Sequence, residues 1–289
     1  MASPRRQEEM IDHVVRLPDR SVRQGCRVLG IRRQTYHNRK SGNRPEEQDA
    51  ELIDLLRRTC SRFVAWGFWM IFHYLRNEHE LKDNHKRVYR LWKQAGLHLR
   101  LPPKRSKIRR EYQELLSPDQ INEGWAMDFV SDWVIGPEKQ SIRVINIMDE
   151  CSRRALWTEA HTSISAAKLI KVLDKIVAWR GAPAYIRCDN GPEFIAGRLK
   201  VWADKHDIEL RHIQPGKPSQ NGLMERLNKT LRVECLDLNW FQSLEELNQR
   251  IQDWSVTYNQ IRPHSSIGYK SPVNYENLNQ NFYFRVVAA

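Results

Sequence analysis

The chain has 289 residues, with 47 lysines and arginines against 35 aspartates and glutamates, a net charge of +12, and a 40% hydrophobic content that includes ten tryptophans. At about 150 residues per domain this is material for two domains with a real core, which excludes wholesale disorder. No run of about 18 apolar residues occurs and the first residues carry no apolar stretch, so neither membrane insertion nor export is expected.

Residues 20 to 38 read as two short helices about a turn. Ser21 to Val28 carries apolar Val22 and Cys26, Gly30-Ile31 turns the chain, and Arg33 to Asn38 follows, presenting Arg32, Arg33, Gln34 and His37. This is a helix-turn-helix candidate, although the second helix has no Ser or Thr cap before it. Three more helices follow, marked by Leu52, Leu55 and Leu56, by Phe68, Ile71, Phe72 and Leu75, and by Val88, Leu91, Trp92 and Ala95, the last closed by Gly96. Phe68, Trp69 and Phe72 are expected in the core of that unit. From Asn84 to Arg110 there are ten basic residues and no acid. The positive charge is therefore concentrated, as phosphate neutralisation requires, and Lys86, Arg87, Arg90, Lys104, Arg105 and Lys107 are the candidate DNA contacts. Pro102 and Pro103 make the stretch after the third helix a basic linker.

The pattern then changes to strands: Trp125 to Ile135, Ser141 to Met148 and Cys151 to Ala160 form an expected antiparallel meander. A helix from Ser165 to Trp179, a strand Ala184 to Cys188, a helix Glu193 to His206, a strand Ile208 to Ile213 and a long helix Ser219 to Leu236 complete a mixed α/β sheet flanked by helices. The expected division is 1–45 for the helix-turn-helix segment, 46–100 for the second helical unit, 101–122 for the linker, 123–240 for the α/β core and 241–289 for a C-terminal helix and tail. The five cysteines (Cys26, Cys60, Cys151, Cys188, Cys235) are odd in number and form no C-x-x-C pair, so a reducing, cytoplasmic compartment is expected and no disulfide framework. His79 and His85 read as surface residues rather than zinc ligands.

Three acids stand out. Asp128 lies among apolar residues of the first strand, where a carboxylate is costly unless it binds a metal, is hydrogen-bonded or faces a wet cleft. Asp189 follows the fourth strand, where Asn190-Gly191 turns the chain into a helix, and Glu225 lies in the long helix after 35 intervening residues. Together they resemble the DDE triad of the retroviral-integrase superfamily. The segments Asp189 to Phe194, Pro215 to Gly222, Tyr258 to Ser265 and Asn84 to Leu91 resemble the OrfB-type transposases of bacterial insertion sequences over nearly the whole chain. One departure lies after Gly67, where the family pattern carries arginines and this chain has Phe68-Trp69-Met70.

The resemblance implies an RNase H-like fold with a five-stranded mixed sheet, in which Asp128, Asp189 and Glu225 converge on a divalent-cation site. Three clustered carboxylates repel one another without a cation, and a pair of Mg²⁺ ions, replaceable by Mn²⁺, suits hard oxygen donors. Asn221, Glu225, Lys229 and Arg232 share one face of the long helix, and Lys229, Arg232 and loop residue Lys217 are assigned to DNA near the scissile bond, a salt bridge to Glu225 being the other reading for the helical cations. Tyr258 and His264 are read as packing or hydrogen-bonding groups rather than as a nucleophile. The implied activity is hydrolysis of a phosphodiester at the element's ends followed by strand transfer of the freed 3′-hydroxyl. Its implied partners are terminal inverted repeats and target DNA, an upstream-frame helix-turn-helix protein, and a second copy or larger assembly, at the bacterial nucleoid. The competing readings are a non-catalytic DNA-binding regulator and an RNase H-like nuclease or junction resolvase.

Overall fold

The computed structural model describes residues 4–18, 20–40, 46–98, 118–136, 138–195, 197–214 and 221–287. They fall into two compact units, one drawing on residues up to 59 together with 86–97, the other on 60–85 together with 98 onward. The division runs through the expected second helical unit, because its middle helix belongs with the α/β core.

In the first unit, α1 (Pro4–Val15), α2 (Val22–Val28) and α3 (Arg33–Lys40) close around Ile11, Cys26 and Tyr36, each nearly fully buried. Ser21 starts α2 with a reciprocal cap: Gln24 N–H donates to its hydroxyl while its own N–H donates to Gln24 Oε1 at 2.9 Å. Gly30 ends that helix at φ +65°, a left-handed backbone that glycine adopts without strain. Arg32, Arg33, Gln34 and His37 all sit on the exposed side of the hairpin, as the sequence pattern expects. Within the same unit, Asp49 of α4 (Glu46–Arg62) receives Arg87 and Arg90 from α6 (His85–Gln94).

In the second unit, α5 (Phe68–Glu78) buries Phe68, Ile71, Phe72 and Leu75, whereas Trp69 is half exposed and lies against the His85 ring rather than in the core. His79 and His85 are both exposed. The His73 ring stacks on Tyr269 at 3.7 Å and Asn77 Nδ2 donates to the Tyr269 carbonyl, which fastens this helix to the C-terminal turn.

The sheet comprises β1 (Gly124–Ile135), β2 (Lys139–Asp149), β3 (Ala155–His161), β4 (Tyr185–Cys188) and β5 (Glu209–His212), in the order β3-β2-β1-β4-β5. The first three strands are antiparallel neighbours; β4 is parallel to β1 and β5 to β4. Strand alternation sends Ala126, Val130 and Val134 to one face, under α10 (Gly222–Glu234) and α11 (Leu244–Val256), and Trp125 and Met127 to the other, under α7 (Ala166–Arg180) and α9 (Gly197–Lys205). A mixed five-stranded sheet covered by helices on both faces is the expected architecture.

Three boundaries differ from expectation. The third strand starts at Ala155 rather than Cys151, because the Asp149 carboxylate accepts the N–H groups of Cys151 and Ser152 and holds a tight turn with Arg153 at φ +64°. The helix expected over Glu193 to His206 is two helices, α8 (Pro192–Ile195) and α9. The long helix ends at Glu234 and passes into a 3₁₀ turn over Leu236–Leu238. Past α11 a π-helical turn (Thr257–Ile261) buries Tyr258, and α12 (Pro272–Val287) returns to the core.

Tyr258 and His264 are packing groups. Tyr258 lies against Trp254 and meets the His264 ring edge-on, and His264 Nε2 lies 3.3 Å from the Tyr258 carbonyl. Burial, reinforced by the Arg262 charge and opposed by the hydrogen bond to Tyr258, pushes the His264 pKa down to about 3; Arg153 also repels its charged form. The unfolded chain therefore takes up a proton that the folded chain refuses, so this contribution to stability is complete above pH 6.5 and is lost as pH falls toward 3. Urea melts at pH 7.5 and pH 5 are expected to show about 2 kcal/mol of His264-dependent loss, absent from His264→Gln.

Candidate active site

The sheet register explains how two of the acids meet. The parallel pairing runs Gly124 with Tyr185, Trp125 with Ile186 and Ala126 with Arg187, and continuing it by two rungs sets Asp128 beside Asp189 at the C-terminal end of β4. This is where open α/β sheets gather ligands. Asp189 Oδ1 accepts the Gly191 N–H at 2.9 Å, and Asn190 Nδ2 donates to the Ile213 carbonyl at 2.8 Å, tying the turn to the end of β5. A Cβ on Gly191 would stand 3.0 Å from Asp189 Oδ1 and 3.4 Å from Glu193 Oε2, so the bare backbone is what lets the turn close.

Two residues brace this segment from the β1–β2 hairpin. The Arg143 guanidinium pairs with Glu193 and lies 4.3 Å above the Phe129 ring, which in turn stacks on Phe194 at 4.7 Å. The Arg143 hydrogen bond holds the Glu193 carboxyl below the usual carboxylate range. In the sequence Glu193 and Phe194 belong to a motif without an evident task of their own, because their partners lie about 50 to 65 residues upstream, in other elements.

Asp128 is half-buried. Its Oδ1 accepts the Phe129 N–H and its Oδ2 accepts Asn228 Nδ2, both at 2.8 Å. Burial, opposed by those hydrogen bonds and reinforced by the charges of Asp189 and then Glu225, pushes its pKa up to about 6. Asp128 thus feels both other acids of the candidate triad, Asp189 more than Glu225. Glu225 is exposed on the first turn of α10. Among the described residues, no three His, Cys, Asp or Glu side chains are drawn together tightly enough to cage an ion.

Asn228 is the residue that sequence reading passed over. It lies three positions beyond Glu225, on the flank of the face that held Asn221, Glu225, Lys229 and Arg232. Of that face, Lys229 is exposed and Asn221 is buried. Arg232 donates from Nη2 to the Ser131 carbonyl at 2.9 Å and lies 3.5 Å from Asp132 and from Asp237, so it pins α10 to β1 rather than pairing with Glu225. Arg87 is likewise engaged, donating to Asp49 at 2.6 Å and 3.1 Å, while Arg90 reaches the same carboxylate from a more exposed position and Lys86 is exposed. Lys104, Arg105, Lys107 and Lys217 lie outside the described residues. No helix among those described is long and apolar enough to cross a membrane.

Comparison with known proteins places the whole chain. The integrase core domain matches residues 118–218 and, in a second form, 206–272, and an HTH-like domain matches 47–105. The uncharacterized 39.2 kDa protein of insertion element IS476 from Xanthomonas euvesicatoria is 35% identical over 277 residues, 94% of this chain and 77% of that one. The uncharacterized 31.7 kDa protein of insertion element IS407 from Burkholderia multivorans is 34% identical, covering 87% of this chain and 89% of that one. Transposase InsD of insertion element IS2 from Escherichia coli is 23% identical, covering 78% of each. An N-terminal HTH-like region, a mixed five-stranded integrase-type core and these relatives agree: the chain belongs to the OrfB-type family of insertion-element transposases with an integrase core domain.

Proposed function

We propose that the chain cuts and joins DNA at the ends of its element by a carboxylate-dependent phosphoryl transfer, with Asp128, Asp189 and Glu225 as the catalytic set. The observation that carries this is the sheet register, which sets Asp128 beside Asp189 at the C-terminal end of β4, with Asn228 of α10, three residues beyond Glu225, donating to the Asp128 carboxylate. Carboxylates placed near one another are unfavourable for a fold and favourable for hard divalent cations.

The donor set fits Mg²⁺ or Mn²⁺: oxygen ligands only, with excess negative charge. Asp128, within β1, and Asp189, just past the end of β4, would supply ligands from neighbouring strands, and Glu225 would supply the third from the first turn of α10. When bound, two such cations polarise the attacked phosphate and stabilise the attacking and leaving oxygens. Asn228 keeps the Asp128 carboxylate aimed into the cleft, and the Arg143–Glu193 pair holds the turn that carries Asp189. In the first reaction an oxygen of water bonds to phosphorus as the P–O3′ bond breaks, leaving a 3′-hydroxyl and a 5′-phosphate. In the second, that 3′-oxygen bonds to a target phosphorus as the target's P–O3′ bond breaks. No side-chain nucleophile is required.

Lys86, Arg90 and Lys229, with the basic residues Lys104, Arg105, Lys107 and Lys217, serve as phosphate contacts; Arg87 and Arg232 contribute chiefly by fixing their elements. Lys86→Ala is therefore expected to weaken DNA binding alike for all sequences and to reduce the slope of log affinity against log salt by about 1. Arg87→Ala is expected instead to lower the stability of its own unit by about 1 kcal/mol, the scale of a partly exposed ion pair. Anisotropy titrations across salt, with melting curves beside them, separate the two. The partners are the terminal inverted repeats, target DNA, a helix-turn-helix protein from the upstream frame and further copies of the chain, in the bacterial cytoplasm at the nucleoid.

The test is incubation of the purified chain, alone and with its upstream-frame protein, with labelled DNA carrying the element's ends. Nicking and joined product that depend on Mg²⁺ or Mn²⁺ are expected. Binding of the ends with neither product under any of these conditions would make the chain a DNA-binding regulator instead.

A further inference from the structure

The catalytic strand pairs across the sheet with two polar residues that the chemistry above does not use. Asp128 is opposite Asn146 on β2, and Asn146 is opposite Thr158 on β3. Directly paired residues of neighbouring strands share a face, so Asp128, Asn146 and Thr158 form a row beneath α10 and α11, flanked by Val144 and Met148 in the apolar layer. Asn146 is fully buried. Its Nδ2 donates to Asn228 Oδ1 at 2.8 Å, and Asn228 Nδ2 donates to Asp128 Oδ2 at 2.8 Å. Asn146 Oδ1 and Thr158 Oγ1 are both buried without a partner among the described residues, side by side across the β2–β3 pair.

An amide placed in an apolar layer costs stability unless every polar atom is matched, and an alanine, valine or leucine would pack there without that cost. A relay accounts for the choice of residues. A carboxylate accepts only, so Asn228 must present its NH₂ to Asp128 and therefore its carbonyl to Asn146. Asn146 must then present its NH₂ to Asn228 and its own carbonyl to Thr158, whose hydroxyl is the one donor type in the row able to meet it.

We propose that Asn146 and Thr158 are positioning residues for Asp128: the Thr158 hydroxyl, through one ordered water across the β2–β3 pair, fixes the Asn146 amide, which fixes Asn228, which fixes the carboxylate. This inference rests on the reading of Asp128 as a cation ligand. Neither residue touches DNA or the cation, and both act at the far side of the sheet row.

The experiment measures Mn²⁺ affinity of the full chain without DNA, by electron paramagnetic resonance titration, alongside Mn²⁺-dependent nicking and melting temperature. Asn146→Asp is expected to weaken Mn²⁺ binding tenfold or more, because an acceptor facing the Asn228 carbonyl drives that amide to turn its own oxygen toward Asp128. Asn146→Leu is expected to weaken it less, since Asn228 is then merely released. Thr158→Val is expected to raise the half-saturating Mn²⁺ concentration about threefold, and Thr158→Ser, which keeps the donor, to restore it. Wild-type Mn²⁺ affinity in folded Asn146→Asp and Thr158→Val, with Asp128→Asn unable to bind, would overturn the relay while leaving the cation reading intact. Unchanged Mn²⁺ binding in Asp128→Asn would overturn both. If the Asn146 variants fail to fold, the Thr158→Val and Thr158→Ser pair decides, because a purely structural hydroxyl would change melting temperature without moving the Mn²⁺ midpoint.

Discussion

Asp189→Asn and Asp128→Asn are each expected to lower metal-dependent nicking and joining by about a thousandfold or more while leaving binding to element ends within about twofold. A bound cation contributes several kcal/mol to transition-state charge stabilisation, and each 1.36 kcal/mol is a factor of ten in rate. An amide has the shape of the carboxylate and lacks its charge, so the effect falls on the cation and spares the fold. Asp128→Asn carries a second signature of opposite sign. Its carboxyl is raised to about 6 by burial and by its neighbours, so in the cation-free chain the ionised form is a liability. The sign follows from linkage: the unfolded chain ionises this group more readily than the folded chain, so the cost is absent well below pH 4, grows through the interval up to about 6 and is complete above it. The variant's single oxygen keeps only one of the two accepted bonds, a loss common to both pH values, so its stability relative to wild type should be greater at pH 7.5 than at pH 4. A gain of about 1 to 2 kcal/mol is expected, after allowance for solvent reaching a half-buried group. Thermal melts at the two pH values beside a strand-transfer assay check both arms. A variant whose stability relative to wild type does not rise from pH 4 to pH 7.5, or that still joins strands, would remove Asp128 from the site. Such opposed effects on stability and activity are what a site selected for charge concentration produces.

The same residue shows why part of the site was legible in sequence and part was not. Asp128, Asp189 and Glu225 stand out as candidates because each marks a local pattern: an acid in an apolar strand, an Asn-Gly turn after a strand, and a helix at a telling interval. The antiparallel meander was also legible, since three alternating runs joined by short turns pair in sequence, whereas the place of β4 beside β1 was not. What escaped was set by pairing across the sheet. Asn146 and Thr158 look like ordinary strand residues until the register puts them in one row with Asp128. Arg87 resembled a DNA contact because its own segment holds no acid; its carboxylate partner, Asp49, comes from a helix 38 residues earlier. Arg232 reads in sequence as a DNA contact, with a salt bridge to Glu225 as the other reading; that its long side chain reaches across to the Ser131 carbonyl on β1 is set by the packing of two elements. The start of β3 was within reach of the sequence, since an Asp at the head of a turn caps the next N–H groups with its own side chain, as Asp149 does.

Glu276→Ala is expected to be the most damaging single change outside the catalytic set, because it breaks a buried ion network that docks α12 on the core. Glu276 is 2% exposed and accepts from the Ser152 hydroxyl at 2.7 Å, from Arg154 and from Arg180. Arg180, at the end of α7, also reaches Asp149 at 2.9 Å, and Asp149 is the fully buried acid whose other oxygen holds the turn before β3. Two acids and two arginines thus balance one another in charge. Removing Glu276 leaves Arg180 with Asp149 as its one carboxylate among these acids, beside its bond to Asn122, and Arg154 without its carboxylate, and breaking a buried pair in this way typically costs about 3 to 5 kcal/mol. Because the network joins α7, the β2–β3 turn and α12, the loss should loosen all three, with proteolysis near the C-terminus rising before global unfolding. Burial pushes the Glu276 carboxyl up, but the hydrogen bond and charge of Arg180, with the hydrogen bonds of Ser152 and Arg154, outweigh it and hold the group below the usual carboxylate range. Its stabilisation is therefore present above pH 4.5 and lost as pH falls further, so the gap in unfolding free energy between wild type and Glu276→Ala should narrow from pH 7 to pH 3.5. Glu276→Gln, which keeps the hydrogen-bonding shape and loses the charge, should fall between the two at pH 7. Urea melts of the three proteins at both pH values decide the matter: equal stability of Glu276→Ala and wild type at pH 7 would mean that α12 is held by its apolar contacts and that the ion network only fills space.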